Sequence, residues 1–303
     1  MIRNLLATLS RHPWVRKTAM STPVLRDVAW RLVAGESQED GLAVVRTLNA
    51  KGIKGTMNFI GTHVRSEPEA VRAADTAIEG LRRVQAEGLD SHLSLKLTQI
   101  GLDVDPAFCR LQLDRVLAAA QHLGSFVRID MEESAYTGET LRIFEEARAG
   151  RPDSVGIVLQ SYLRRNQADL ERMVALGARI RLVKGGYWES APVALRNKEE
   201  LDRAFLRDLE FLILHGHRPA LATHDPAAVA RAVQVLAAAG LPKDAMEFQM
   251  LYGVRQDLAE ALVRDGYTVR SYVPYGAHWY EYVLGCIRRD PGRLVRTVGP
   301  QAR

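Results

Sequence analysis

Short runs of β-branched and aromatic residues recur along the chain, with helical patterns between them. Eight are legible, at 53–60 (IKGTMNFI), 92–97 (HLSLKL), 126–131 (FVRIDM), 156–161 (GIVLQS), 179–184 (RIRLVK), 219–223 (PALAT), 246–251 (MEFQML) and 268–273 (TVRSYV). The intervening "DPAFCRLQLDRVLAAAQHLG" and "DPAAVARAVQVLAAAGL" place apolar residues at helical spacing. Each opens on Asp-Pro and closes near Gly, the start and stop signals of a helix. Strands alternating with helices eight times predict an α/β fold, a (β/α)8 TIM-type barrel. A doubly wound sheet is the rival, but neither G-x-G-x-x-G nor a P-loop occurs. Residues 1–50 precede the first strand and read as extra N-terminal helices packed on the barrel. Residues 51–297 are the barrel itself, and 298–303 a short polar tail.

Composition narrows the function. With 47% hydrophobic and 25% charged residues, the chain is of the ordinary globular kind. Its net charge of +5 is spread without blocks of like charge, which argues against nucleic acid. Two cysteines, Cys109 and Cys286, form no disulfide framework, and the N-terminal apolar run is too interrupted for a secretory signal. Both suit a cytoplasmic location. No run of about 18 apolar residues predicts a transmembrane anchor.

Barrel chemistry gathers at the carboxyl ends of the strands. Those ends carry Lys96, Asp130, Gln160, Arg181 with Lys184, Thr223 with His224, Gln249 and Tyr272, whereas the first strand offers only Asn58 and Thr62. Taken singly, each is an ordinary structural residue: a strand-end Asp caps a helix, a Gln bonds backbone. Together, with no acidic cluster evident, they point to a large anionic, heteroaromatic ligand. No histidine stands at metal-ligand spacing from carboxylates, and His215 and His217 flank a single Gly, so no metal is expected.

The motifs "SLKLTQIGL" (94–102), "RIDMEES" (128–134), "GIVLQSYLRR" (156–165), "RLVKGGYWES" (181–190), "ATHDP" (222–226), "EFQMLYGVR" (247–255) and "VRSYVPYG" (269–276) occur in this order. They resemble the proline dehydrogenase family, from about residue 25 to 297. The resemblance implies FAD held noncovalently on the barrel and oxidation of a ring C–N bond. It implies flavin contacts from Gln160, Arg181, Val183, Lys184, Gly185, Gly186, Tyr187, Trp188, Lys198, Thr223, His224 and Gln249. Arg181 would donate at the flavin N5 edge, and Lys184 and Lys198 would supply charge for the pyrophosphate. Gly186 stands where the family usually has Ala. The substrate side would be built from Lys96, Asp130, Leu251, Tyr272 and Tyr282, with Lys96 and Asp130 as an ion pair.

Two positions depart from the family pattern. The family's last helix carries an Arg-Arg pair three and four residues after the tyrosine matching Tyr282, and that pair grips a carboxylate. Here those positions are Gly285 and Cys286. Aligning Arg288 and Arg289 with the pair would insert three residues into a helix and lose the match at Pro291. The family's first strand also ends in Gly-Glu, whose carboxylate pairs with one of those arginines; here Thr62 replaces it. Loss of both halves of an ion pair leaves no buried orphan charge and predicts a remodelled pocket. The expected substrate is therefore an amine of specialised metabolism that is larger than proline or has its carboxylate masked, with Arg289 in reach of a longer molecule. L-proline itself, gripped by Arg288 and Arg289, is the alternative, and a catalytically inactive flavin-binding barrel is a second one. The tail "GRLVRTVGPQAR" shows no amphipathic anchor, leaving oxygen, quinone or a soluble carrier as electron acceptor.

Overall fold

The computed structural model describes residues 29–289, with side chains to Cys286. Eight parallel strands close on themselves in sequence order, β1 pairing with β8. Helix α1 (Gln38–Ala50) precedes β1 (Lys54–Phe59). Then follow α2 (Glu67–Ala86), β2 (Ser91–Leu95), a 3-10 turn (Leu97–Ile100), α3 (Pro106–His122), β3 (Val127–Ile129) and α4 (Ser134–Arg148). The second half runs β4 (Val155–Gln160), α5 (Asn166–Ala175), β5 (Arg179–Val183), α6 (Lys198–His215), β6 (His217–Ala222) and α7 (Pro226–Ala238). It closes with β7 (Glu247–Leu251), α8 (Gln256–Arg264), β8 (Thr268–Tyr275) and α9 (Trp279–Arg289). Each strand is thus followed by a helix, as the periodicity predicts. Residues 1–28 and 290–303, including most of the expected N-terminal helices and the tail, lie outside the described residues.

The helix starts have the expected local causes. Asp105 accepts from the Phe108 amide ahead of Pro106, and Asp225 accepts from the Ala227 amide ahead of Pro226. Ser37 and Asp40 form a reciprocal capping box on α1. α7 is followed by Gly240 at φ +63°, a left-handed residue that costs glycine no Cβ clash.

Side-chain alternation divides each strand. Ile129, Ile157, Ile180, Leu182, Leu221, Phe248, Val269 and Val273 face outward into one large core between sheet and helices. The opposite face turns into the barrel, where the polar residues meet. A second, smaller core lies over the carboxyl ends of β1 and β7. There Trp279, Tyr280 and Val283 of α9 pack with Leu32, Val33, Ile60 and Val254, flanked by Leu251 and Tyr282. α9 is pinned further by the Trp279 indole, which donates to Glu36 at 3.0 Å and tilts against Trp30.

Candidate active site

Asp130, at the end of β3, is the centre of the polar interior. Its Oδ1 accepts from the Arg181 guanidinium at 2.8 Å and from the Ser94 hydroxyl at 2.9 Å. Its Oδ2 accepts from the Tyr272 hydroxyl at 2.6 Å and faces the Lys96 ammonium at 3.8 Å. Strands β2, β3, β5 and β8 therefore converge on one carboxylate. Arg181 also donates through Nε to the side-chain Oε1 of Gln249, which fixes the guanidinium plane from β7. The site is nearly dry: the Arg181 and Asp130 side chains are 5% and 10% exposed. Burial, reinforced by the Asp130 charge, pushes the Tyr272 hydroxyl well above the usual tyrosine range, so it stays a donor at neutral pH.

A layer beneath supports this cluster. Gln249 donates to Glu247, which accepts from the Arg270 guanidinium at 2.8 Å. Burial works to raise the Glu247 carboxyl, but the Arg270 charge and hydrogen bond overcome it and hold the group below its ordinary value. Residues 247 and 249, like 270 and 272, are alternate positions on one strand face, so the support is built into the same two strands.

The expected flavin contacts occupy the carboxyl ends of β4 to β7. Gln160 donates to the Glu132 carbonyl at 2.8 Å, and His224 Nε2 accepts from the Leu251 amide at 2.9 Å, tying the end of β6 to that of β7. The segment after β5 is stitched to that after β4: the Val183 and Lys184 carbonyls accept from the Ser161 and Tyr162 amides. Gly185 lies at φ +104°, and a Cβ built there would stand 2.1 Å from the Tyr162 ring, so the close approach requires glycine. Lys184 is held between Asp202 at 2.7 Å and Asp225 at 3.0 Å, and Lys198 pairs with Asp202. Thr223 accepts from the Asp225 amide. Gly186 is exposed and Tyr187 is half-buried against Tyr162 and Leu163. Trp188 is 84% exposed, beside Arg196.

On the substrate side, Leu251 and Tyr282 flank the upper core, and Tyr282 is close enough to Tyr272 to affect its ionisation. Cys286 is buried, Gly285 half-buried and Thr62 exposed. The side chains of Arg288 and Arg289 lie outside the described residues. Sequence reasoning missed Ser94, Glu247, Arg270, Tyr162, Asp202 and Asp225. It also saw no histidine near carboxylates, whereas the structure sets His63 against Asp103 at 2.8 Å and brings it together with Glu132 and Glu133. Spacing along the chain carries no sign of this, because His63 follows β1 and the two glutamates follow β3.

Comparison with known proteins now decides the family. The family described as "Proline dehydrogenase" matches residues 42–281. The chain belongs to the proline dehydrogenase family. It is 35% identical to "Proline dehydrogenase 1" of Bacillus subtilis subsp. natto over 291 residues, 96% of each chain. It is 34% identical to "Proline dehydrogenase" of Deinococcus radiodurans over 296 residues, 96% of this chain and 94% of that one. Among solved structures, proline utilization A of Bdellovibrio bacteriovorus superposes with a TM-score of 0.82 at 23% identity. That match covers 91% of this chain and 34% of the longer one, and shares the barrel. As a member of this family the chain is a flavin-dependent oxidoreductase acting on CH–NH donors. No helix among the described residues is long and apolar enough to cross a membrane.

Proposed function

We propose that this protein binds FAD noncovalently and oxidises the C–N bond of a proline-like amine that is larger than proline or has its carboxylate masked. The residues present fit the cofactor. Gly185 lets the backbone after β5 turn tightly against Tyr162, Trp188 offers an exposed aromatic face, and Arg181, Gln160, His224 and Gln249 lie on adjacent strands. Lys184 and Lys198, which pair with Asp202 here, would supply positive charge for the pyrophosphate. Bound FAD supplies the two-electron acceptor. The protein's own residues supply the rest: Tyr272 and Lys96 donate hydrogen bonds or charge beside Asp130, and Leu251 and Tyr282 wall off water. Arg181 carries a fixed positive charge at the site's floor, locked in place by Asp130 and Gln249.

The observation that carries the substrate class is the course of α9. The helix runs without a break from Trp279 to Arg289. A three-residue insertion that would move Arg288 and Arg289 into the family's clamp positions would have to interrupt it. At about 1.5 Å per residue, Arg289 stands roughly 10 Å beyond Tyr282 along the axis, on the same face but two turns on. The clamp positions, Gly285 and Cys286, lie within about 6 Å of axial rise. A carboxylate held by the family's geometry would meet no guanidinium there. The exposed Thr62 is the matching loss on the other wall.

A second reading, L-proline itself, is favoured by the identity of 35% with a proline dehydrogenase over 96% of the chain. Anaerobic flavin bleaching separates the two. Purified protein is expected to be yellow and to release FAD on denaturation. Prolyl amides or esters should bleach it faster than L-proline. Two missing charge-assisted contacts, worth about 1.5–3 kcal/mol each, cost L-proline a factor of about 10² to 10⁴ in kcat/KM. Rapid bleaching by millimolar L-proline would establish the second reading. Colourless protein that cannot be reconstituted with FAD would overturn both.

A further inference from the structure

We propose that His63, Glu132 and Glu133 form a binding site for one divalent transition ion, of the Zn2+ or Mn2+ class, on the rim of the barrel beside the substrate mouth. His63 belongs to the segment after β1, Glu132 and Glu133 to the segment after β3. Their ligand atoms lie within 4.8 Å of one another. Around a bound ion, with bonds of about 2.0–2.2 Å, ligand atoms stand roughly 3–4 Å apart, so about 1 Å of side-chain adjustment closes the site.

Three features favour a ligand over a mere cluster of charges. First, the Glu133 Oε2 is buried and accepts no hydrogen bond, an expensive state for a carboxylate oxygen. Second, Glu132 is 1% exposed and already oriented: its oxygens accept from the Thr98 hydroxyl at 2.7 Å and the Thr98 amide at 3.3 Å. A carboxylate has about four lone-pair positions, so these contacts leave capacity for a metal. Third, His63 is steered from behind. Its Nδ1 meets Asp103 Oδ2 at 2.8 Å, and Asp103 Oδ1 accepts from the Tyr136 hydroxyl at 2.7 Å. A carboxylate holding the proton on one ring nitrogen leaves the other as the lone pair, the arrangement common behind metal-bound imidazole. His63 also packs its ring against Tyr136, with centroids 5.6 Å apart.

One imidazole with two carboxylates selects Zn2+ or Mn2+ over Mg2+ and Ca2+, which prefer all-oxygen sets. The ion would join the segment carrying Thr62 to the segment that follows Asp130, fixing two walls of the mouth. This inference does not depend on which amine the enzyme oxidises.

The test is metal binding by the FAD-loaded protein. After treatment with EDTA, equilibration with Zn2+ or Mn2+ and gel filtration, elemental analysis is expected to find about one ion per chain. His63→Ala and Glu133→Gln should retain none. Asp103→Ala, which removes only the group behind the histidine, should weaken binding about 10- to 100-fold by calorimetric titration. A thermal midpoint raised by the ion in the wild type and not in His63→Ala or Glu133→Gln, each compared with its own midpoint in EDTA, separates ligation from folding. Substoichiometric metal in the wild type, or unchanged affinity in both His63→Ala and Glu133→Gln, would overturn the site.

Discussion

Replacing Asp130 with alanine should be the most damaging single change in the barrel interior. Asp130 faces two cations, Arg181 at 2.8 Å and Lys96 at 3.8 Å, whose side chains are 5% and 14% exposed. Its loss leaves two positive charges together in a poorly hydrated space and strands the donors of Tyr272 and Ser94. Removing one partner of a buried ion pair typically costs about 3–5 kcal/mol. Arg181→Met is gentler by the same reasoning, because Asp130 and Lys96 remain as one charge of each sign. In the double variant the surviving Lys96 is alone but has a path to water. The double cost should therefore fall short of the sum by about 0.5–3 kcal/mol, the usual coupling between contacting residues. For a chain of this size each kcal/mol moves Tm by about 2 °C, so Asp130→Ala should melt about 6–10 °C below wild type. Thermal unfolding is best followed on cofactor-free protein, so that lost FAD binding does not add to the shift. If Asp130→Ala melts within about 2 °C of wild type, or if the two single costs simply add, the carboxylate is not the electrostatic centre described here.

Two further outcomes follow from the same geometry. Tyr272 has a folded-state value raised above the ordinary tyrosine value of about 10, so the folded protein holds its proton more tightly than the unfolded chain. That contribution is complete below about pH 10 and is lost as pH rises toward the folded value; Tyr272→Phe should therefore show a shallower alkaline fall in Tm than wild type, and equal slopes would contradict it. Gly185→Ala places a Cβ against the Tyr162 ring at φ +104°, a strain of about 1–3 kcal/mol, and should lower FAD retention at equal protein concentration. Full flavin content in that variant would remove the close approach from the cofactor site.

How far the sequence discloses this protein depends on whether the deciding contact is local. All eight strands are legible because half-buried and buried strands carry β-branched runs, and their ends shift by only a few residues. β6 shows why they shift: it begins at His217 rather than 219, where Arg218 takes a positive φ and the β5–β6 register slips between Arg179 and Arg181. A Gly-His-Arg-Pro run reads as a helix end, so the strand start is hidden. Lys96, Asp130, Arg181, Gln249 and Tyr272 are legible because alternation along a strand puts charged groups on an inward face, where only chemistry or pairing keeps them. Ser94 and Glu247 are not, since a serine or a glutamate two residues before a marked position has no signature of its own. The rim cluster is further out of reach: His63, Glu132, Glu133 and Asp103 meet only because the consecutive pairing of β1, β2 and β3 brings together the segments that follow those three strands. The opening of the substrate pocket falls between these cases. Gly285 and Cys286 can be read from the sequence, but whether Arg288 and Arg289 replace them depends on backbone continuity. α9 is helical throughout, and a helix fixes axial position by residue count alone. Backbone continuity therefore places residues 288 and 289 one helical turn beyond the positions of Gly285 and Cys286, and this is what supports the proposal of a substrate longer than proline over L-proline itself.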